Sequence, residues 1–237
     1  MENKSRSFIA EALILAVALL GVGFWVSATV IDYGNRDRTV QVRGLAEREV
    51  SADYVIWPIV FKEVNNDLAD LYANVQKKTD LLTKFLESNG ISKDEISFSS
   101  PDVIDTDGEL YGDHKHPYRY NATVVVTVAS GKVKLIRNLM AKQAELLKDG
   151  IAITNNDYRF QKVFSFNGLN SIKPAMIEEA TRNAHEAAEK FAQDSKSELG
   201  KIKTATQGQF SITDRDENTP FIKNVRVVTN VQYFLKD

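Results

Sequence analysis

The chain has 237 residues, 43% of them hydrophobic and 26% charged, with 30 Lys and Arg against 32 Asp and Glu, a formal net charge of -2 and no cysteine. This is a globular composition, which excludes wholesale disorder and collagen-like structure. Without cysteine there are no disulfides, thiolate nucleophiles, iron–sulfur clusters or cysteine-ligated zinc, and near-neutral charge argues against a nucleic-acid partner.

The first element is the run Ala12 to Ile31, 20 residues without a charge. As a helix it extends ~30 Å at about 1.5 Å per residue, the hydrocarbon thickness of a bilayer. Its Leu, Ile, Val and Phe residues contribute roughly -0.3 to -0.6 kcal/mol each near the centre of a span, outweighing Gly21, Gly23, Ser27 and Thr29. Trp25 and Tyr33 sit toward the outgoing interface. The expected organisation is a cytoplasmic tail over 1–11, a transmembrane signal-anchor helix over 12–31, a linker over 32–38 and an exported domain over 39–237. The basic tail, Lys4 and Arg6, favours this orientation, with the C-terminal domain outside the inner (cytoplasmic) membrane, in the periplasm. The alternative is a cleaved secretory signal, cut near Ala28 after Val26-Ser27-Ala28, which releases the domain into the periplasm. The apolar run exceeds the usual signal core of about 7–15 residues, which favours the anchor.

Beyond the linker the pattern alternates. Thr39 to Val50 reads as an extended segment broken at Gly44. Tyr54 to Phe61 is a continuous apolar run, as in a strand covered on both faces, and Pro58 within it requires an edge or a bulge. Asn66 or Asp67 caps a helix carrying Leu68, Leu71, Tyr72, Val75, Leu82, Phe85 and Leu86, ended by Asn89-Gly90. Strands follow at Ile96 to Ile104 and at Tyr118 to Ala129, the second with Tyr120, Ala122, Val124, Val126 and Val128 on one face. Lys132 to Lys148 is a helix stopped by Asp149-Gly150, and Tyr158 to Phe166 a strand with its aromatic residues on one face. The order β-α-β-β-α-β is the split arrangement, with two helices over a mixed or antiparallel sheet. The phrases Asn89-Gly90-Ile91 and Asp149-Gly150-Ile151 mark its halves.

A third helix is expected from Ser171 to Ser197, capped by Ser171 and closed by Leu199-Gly200. Its stripe of Met176, Ile177, Ala180, Ala184, Ala187, Ala188, Phe191 and Ala192 is rich in small residues, so it packs closely on a sheet or on a neighbouring subunit. Glu178 with Arg182 and Glu186 with Lys190 are i,i+4 pairs. Two strands, Ile202 to Thr213 and Lys223 to Leu235, finish an α+β fold.

The segment Val42-x-Gly44-x-Ala46-Glu47-x-x-Val50-x-x-Asp53, followed by Trp57, resembles the opening of the SIMPL-domain family. Gly90-Ile91, Tyr118-x-Tyr120-x-Ala122 and the helix after Phe166 agree in order, so the resemblance runs from Thr39 to the C-terminus. It implies an envelope protein, exported or anchored by an N-terminal hydrophobic segment. Members include periplasmic immunogenic antigens, proteins linked to oxidative stress and proteins that form large rings. It implies no catalytic residues, and ring assembly is not carried over. Tyr118, where glycine is commoner, and the charged Asp105-to-Lys115 loop depart from the family pattern.

Candidate chemistry is sparse. Asp113-His114-Lys115-His116, with Asp105, Asp107 and Glu109 upstream, offers two imidazoles and carboxylates, but a metal site also needs a rigid third ligand and an oriented second shell. Read as a calcium loop with Gly108 at position six, Val103 and His114 fall where oxygen donors belong. His185 stands on a helix without H-E-x-x-H and reads as a packing residue; G-x-S-x-G, P-loop and G-x-G-x-x-G-plus-βαβ signatures are missing. Glu47, Glu49 and Asp53 could suggest acid–base chemistry, but spacing along a strand does not make carboxylates converge, and turn hydrogen bonds explain them more simply. Tyr54, Trp57 and Phe61 read as core. The expectation is a non-enzymatic protein with no catalytic, metal or cofactor site. It meets the membrane through 12–31 and forms a homo-oligomer or binds protein partners, in stress defence. The competing expectations are a metal-dependent enzyme using the Asp102–His116 loop and a small-ligand carrier.

Overall fold

The computed structural model describes residues 15–24, 26, 38–108, 117–154 and 157–236. In chain order these form α1 (15–24), β1 (Thr39–Ser51), β2 (Tyr54–Asn65), α2 (Leu68–Ser88), β3 (Ile96–Phe98), β4 (Asp102–Asp105), β5 (Tyr120–Ser130), α3 (Val133–Lys142), β6 (Val163–Ser165), α4 (Leu169–Asp194), β7 (Glu198–Gln207), β8 (Ser211–Asp214) and β9 (Ile222–Lys236). The chain divides into two compact units. Of the described residues, one holds those within Arg48–Ile172 and Ile212–Val225; the other holds those up to Glu47 with Lys173–Ser211 and those from Arg226 onward.

The first of these carries the split β-α-β-β-α-β order, as β2-α2-β3-β5-α3-β6, with sheet order β3-β5-β2-β6 and β4 also on β5. Its pairings are antiparallel, so the mixed alternative is corrected. The expected strand over Ile96 to Ile104 is two strands, separated by residues 99–101 with Pro101 among them. Alternation sets the core: Val55, Trp57, Ile59 and Phe61 of β2 and Ala122, Val124, Val126 and Val128 of β5 are buried with Leu71, Leu82 and Leu86 of α2 and Ile136 and Leu139 of α3. Fully burying a side chain of this size stabilises by about 1.5–3 kcal/mol. The opposite face of β2 leaves Ile56 exposed, so the strand is not covered throughout on both faces.

Helix ends follow local chemistry. The Asp67 carboxylate accepts the N–H of Ala69 at 2.8 Å and of Asp70 at 3.0 Å, capping α2. The helical run from Val133 continues as a 3-10 turn over Gln143–Asp149 rather than as one α-helix. The expected strand from Tyr158 shrinks to Val163–Ser165, and Tyr158 is exposed in a turn.

In the second unit α4 lies on its sheet through Ala184 and Ala188, which pack with Val42, Val231 and Tyr233. The strand order is β1-β9-β7. β1 runs unbroken through Gly44. A Cβ there would stand 1.8 Å from the Ala180 carbonyl oxygen and 2.8 Å from Ala184 Cβ. The small-residue stripe therefore serves this sheet. Phe191, expected in it, is exposed. α4 begins at Leu169, and Ser171 Oγ donates to the Gly168 carbonyl at 2.7 Å instead of capping. Leu199-Gly200 lies within β7, where a Gly200 Cβ would come 2.8 Å from the Phe234 oxygen. Surface pairs on α4 include Arg182–Glu186, His185–Glu189 and Lys190–Asp194, in a different register from the expected Glu178–Arg182 and Glu186–Lys190.

Among the described residues no helix is long and apolar enough to cross a membrane. Residues 12–14, 25 and 27–31 of the expected span lie outside the described residues.

Candidate functional site

The opening motif is built into the scaffold. Along β1 the side chains of Val42 and Ala46 alternate into the buried face with Gly44 between them. Asn183 Nδ2 donates to the Leu45 carbonyl at 2.8 Å, fixing strand against helix. The three motif carboxylates take separate partners: Glu47 meets Arg226 at 3.3 Å and Glu49 meets Arg215 at 3.5 Å. Asp53 accepts the backbone N–H of Asn167 at 2.8 Å and of Gly168 at 2.8 Å, just before α4. N–H groups at a helix entry lack intrahelical partners, so a carboxylate there satisfies them. Asp53 makes the turn hydrogen bonds expected of this group, whereas Glu47 and Glu49 form exposed ion pairs instead.

Trp57 and Phe61 are core, as expected, while Tyr54 is half-buried. His185 is half exposed, its Nε2 3.3 Å from Glu189 and its ring 5.7 Å from the Tyr233 ring. Burial pushes the Tyr233 hydroxyl up, aided by the Glu189 charge.

Of the acidic and histidine-bearing loop, Glu109, Asp113, His114 and His116 lie outside the described residues. Its base is an ion-pair clamp. Arg119 donates from Nε to Asp105 at 3.1 Å and from Nη2 at 3.0 Å, and Asp107 lies 3.3 Å from its Nε. The guanidinium holds the Asp105 carboxyl below its usual range. Thr106 Oγ1 donates to the Arg119 carbonyl at 2.9 Å. Among the described residues no group of three or more His, Asp or Glu could hold a metal ion.

Two clefts were not apparent from sequence, and both lie within the split-sheet unit. The first is polar, about 600 Å³, at an opening in the edge of β2. Pairing with β6 ends at Ile56↔Val163 and resumes at Phe61↔Ile153, where Thr154 N–H donates to the Val60 carbonyl at 2.7 Å. The β2–β5 register has no bulge, so by strand alternation Pro58 turns its nitrogen toward the same side as Val60. An edge with no N–H to offer suits proline, and Pro58 was the signal in the sequence. The segment through Asp157 and Lys162 and the turn through Asp214, Glu217 and Pro220 wall the cleft. Arg159 donates to Asp157 at 2.7 Å and holds its carboxyl at about 2, and Lys223 donates to Asp214. A carboxylate held that low is a poor proton acceptor at neutral pH, so Asp157 suits charge pairing better than general-base work.

The second is an apolar groove of about 610 Å³ between the first turns of α2 and the β4 edge. Its floor is Leu71, Val75 and Ala122, and its walls include Leu68, Tyr72 and Val103. Ala122 is the smallest member of the buried row on β5, and its neighbour across the ladder is Val103. That missing side-chain volume leaves room beneath the helix.

An α+β scaffold whose opening motif locks a long small-residue helix onto a sheet defines the class of this protein. The chain matches the SIMPL family model, described as a protein of unknown function (DUF541), over residues 40–233, and it belongs to that family. No curated protein matches it.

Proposed function

We propose that this chain is a membrane-anchored envelope protein, held by Ala12–Ile31 with its SIMPL domain on the periplasmic side. The domain acts by binding protein partners or further copies of itself, not by catalysis, in defence against oxidative or envelope stress. The observation that favours binding over acid–base catalysis by the opening motif is the engagement of Glu47, Glu49 and Asp53 by Arg226, Arg215 and the Asn167–Gly168 backbone. Acid–base chemistry needs carboxylates that converge on a substrate, and these three turn to separate partners within the chain. The anchor is supported by the uncharged 20-residue run and the polar linker after it. The alanine stripe no longer favours a subunit contact, because Gly44 of β1 fills its side.

In-cell chemical crosslinking of the full-length chain at its native level tests the binding reading. Discrete adducts, either multiples of the chain's own mass or one reproducible partner, are expected. A chain that stays monomeric and uncrosslinked overturns it.

A further inference from the structure

The apolar groove beside α2 is open to solvent although its lining is hydrocarbon. Leu68 is 52% exposed, Tyr72 66% and Val103 43%, while Leu71, Val75 and Ala122 beneath them are buried. Large apolar side chains exposed around a concave floor mark a binding site more often than scattered surface residues do.

Size and charge select the occupant. The volume of about 610 Å³ falls within the range of small-molecule pockets, roughly 300–1,000 Å³. Eight described residues line it, against about 20–30 a side in a stable protein interface, so a second copy seated on these alone would lack the area it needs. Among the described lining residues no side chain carries a charge, and the Tyr72 hydroxyl is the one polar side-chain group. A charged or multiply hydrogen-bonding ligand would be desolvated without compensation, whereas an uncharged aliphatic chain matches the lining throughout. We propose that this groove binds the single aliphatic chain of a lipid, lying between α2 and β4 over Ala122, with the headgroup left in solvent. The proposal does not depend on the anchor.

The test is photolabelling of the full-length chain with a lysophospholipid carrying a diazirine in its acyl chain, used below its micelle concentration. Adducts are expected on the peptides containing Leu68–Val75 and Pro101–Val103. Ala122→Leu, which extends a side chain into the groove, lowers that labelling about tenfold or more, as misfit in an apolar pocket does. The Leu68→Glu/Tyr72→Glu variant changes exposed positions and removes the labelling while preserving the fold, so the result stands even if the buried substitution fails to fold. Equal labelling of all three proteins, or no adduct on those peptides in the unaltered chain, overturns the proposal. Labelling confined to Ala12–Ile31 also overturns it while upholding the anchor. Groove labelling of a chain that alkaline carbonate frees from membranes upholds the groove and removes the anchor.

Discussion

A methyl group at Gly44 has no place to go, because the Ala180 carbonyl oxygen would lie 1.8 Å from it. Backbone at that range cannot yield as a flexible side chain can, so Gly44→Ala must push α4 off β1. The expected loss is about 3 kcal/mol, the upper end for overpacking, read as a lowered urea midpoint. Asp53 has a different role. Its carboxylate satisfies two N–H groups where the chain turns into α4. Asp53→Ala should cost about 1.5–3 kcal/mol, the range for hydrogen bonds to a charged group, and Asp53→Asn less, since one acceptor oxygen survives. Denaturant titration of the three proteins checks that order; equal stability of all three would remove the structural role.

At the scale of elements, the two halves of the split sheet end their helical runs alike. Gly90 N–H donates to the Glu87 carbonyl and Ile91 N–H to that of Leu86; Gly150 and Ile151 repeat both bonds to Leu147 and Leu146. Both glycines are left-handed, with φ 93° and 77°, and both isoleucines are buried. This is a Schellman closure with its hydrophobic contact. Gly90→Ala and Gly150→Ala should each cost about 1–2 kcal/mol in thermal or urea unfolding, the left-handed penalty of a β-carbon. The phrase was legible in the sequence because its chemistry is local. Leu199-Gly200 uses the same residue types but marks a close approach to Phe234, and only the fold tells the two uses apart. Tyr158 misled for a similar reason: its aromatic alternation with Phe164 looked like a strand, yet Asp157 and Arg159 hold that segment in a turn.

A second element-scale test concerns the junction before α3. Desolvation raises the Glu95 pKa, but bonds from Lys132, Ser130 and the Ser92 N–H outweigh it and hold the carboxyl at about 2, against 4.5 ordinarily. Because the folded value is depressed, the stabilisation is fully present above pH 4.5 and disappears as pH falls toward 2. Urea stability measured across that window should fall less steeply for Glu95→Gln than for the unaltered chain. Identical slopes would contradict the assignment.

At the scale of the whole molecule, the family, the α+β class and the split order were readable because periodicity and caps act over a few residues. The clefts were not. The polar one joins Pro58 to Asp157 and Pro220, and the groove joins Leu68 to Val103 and Ala122, so each exists only once distant segments meet. The acids of the opening motif look alike in sequence, and only their separate partners reveal them as scaffold. Under the proposed function, surfaces and an N-terminal anchor do the work that the opening motif does not. The most direct measurement is protease digestion of spheroplasts expressing the chain with a C-terminal tag, followed by alkaline carbonate extraction. Loss of the tag without lysis is expected, with an N-terminal fragment that carbonate leaves in the membrane. A full-length chain that is protected until lysis and then released by carbonate would contradict it.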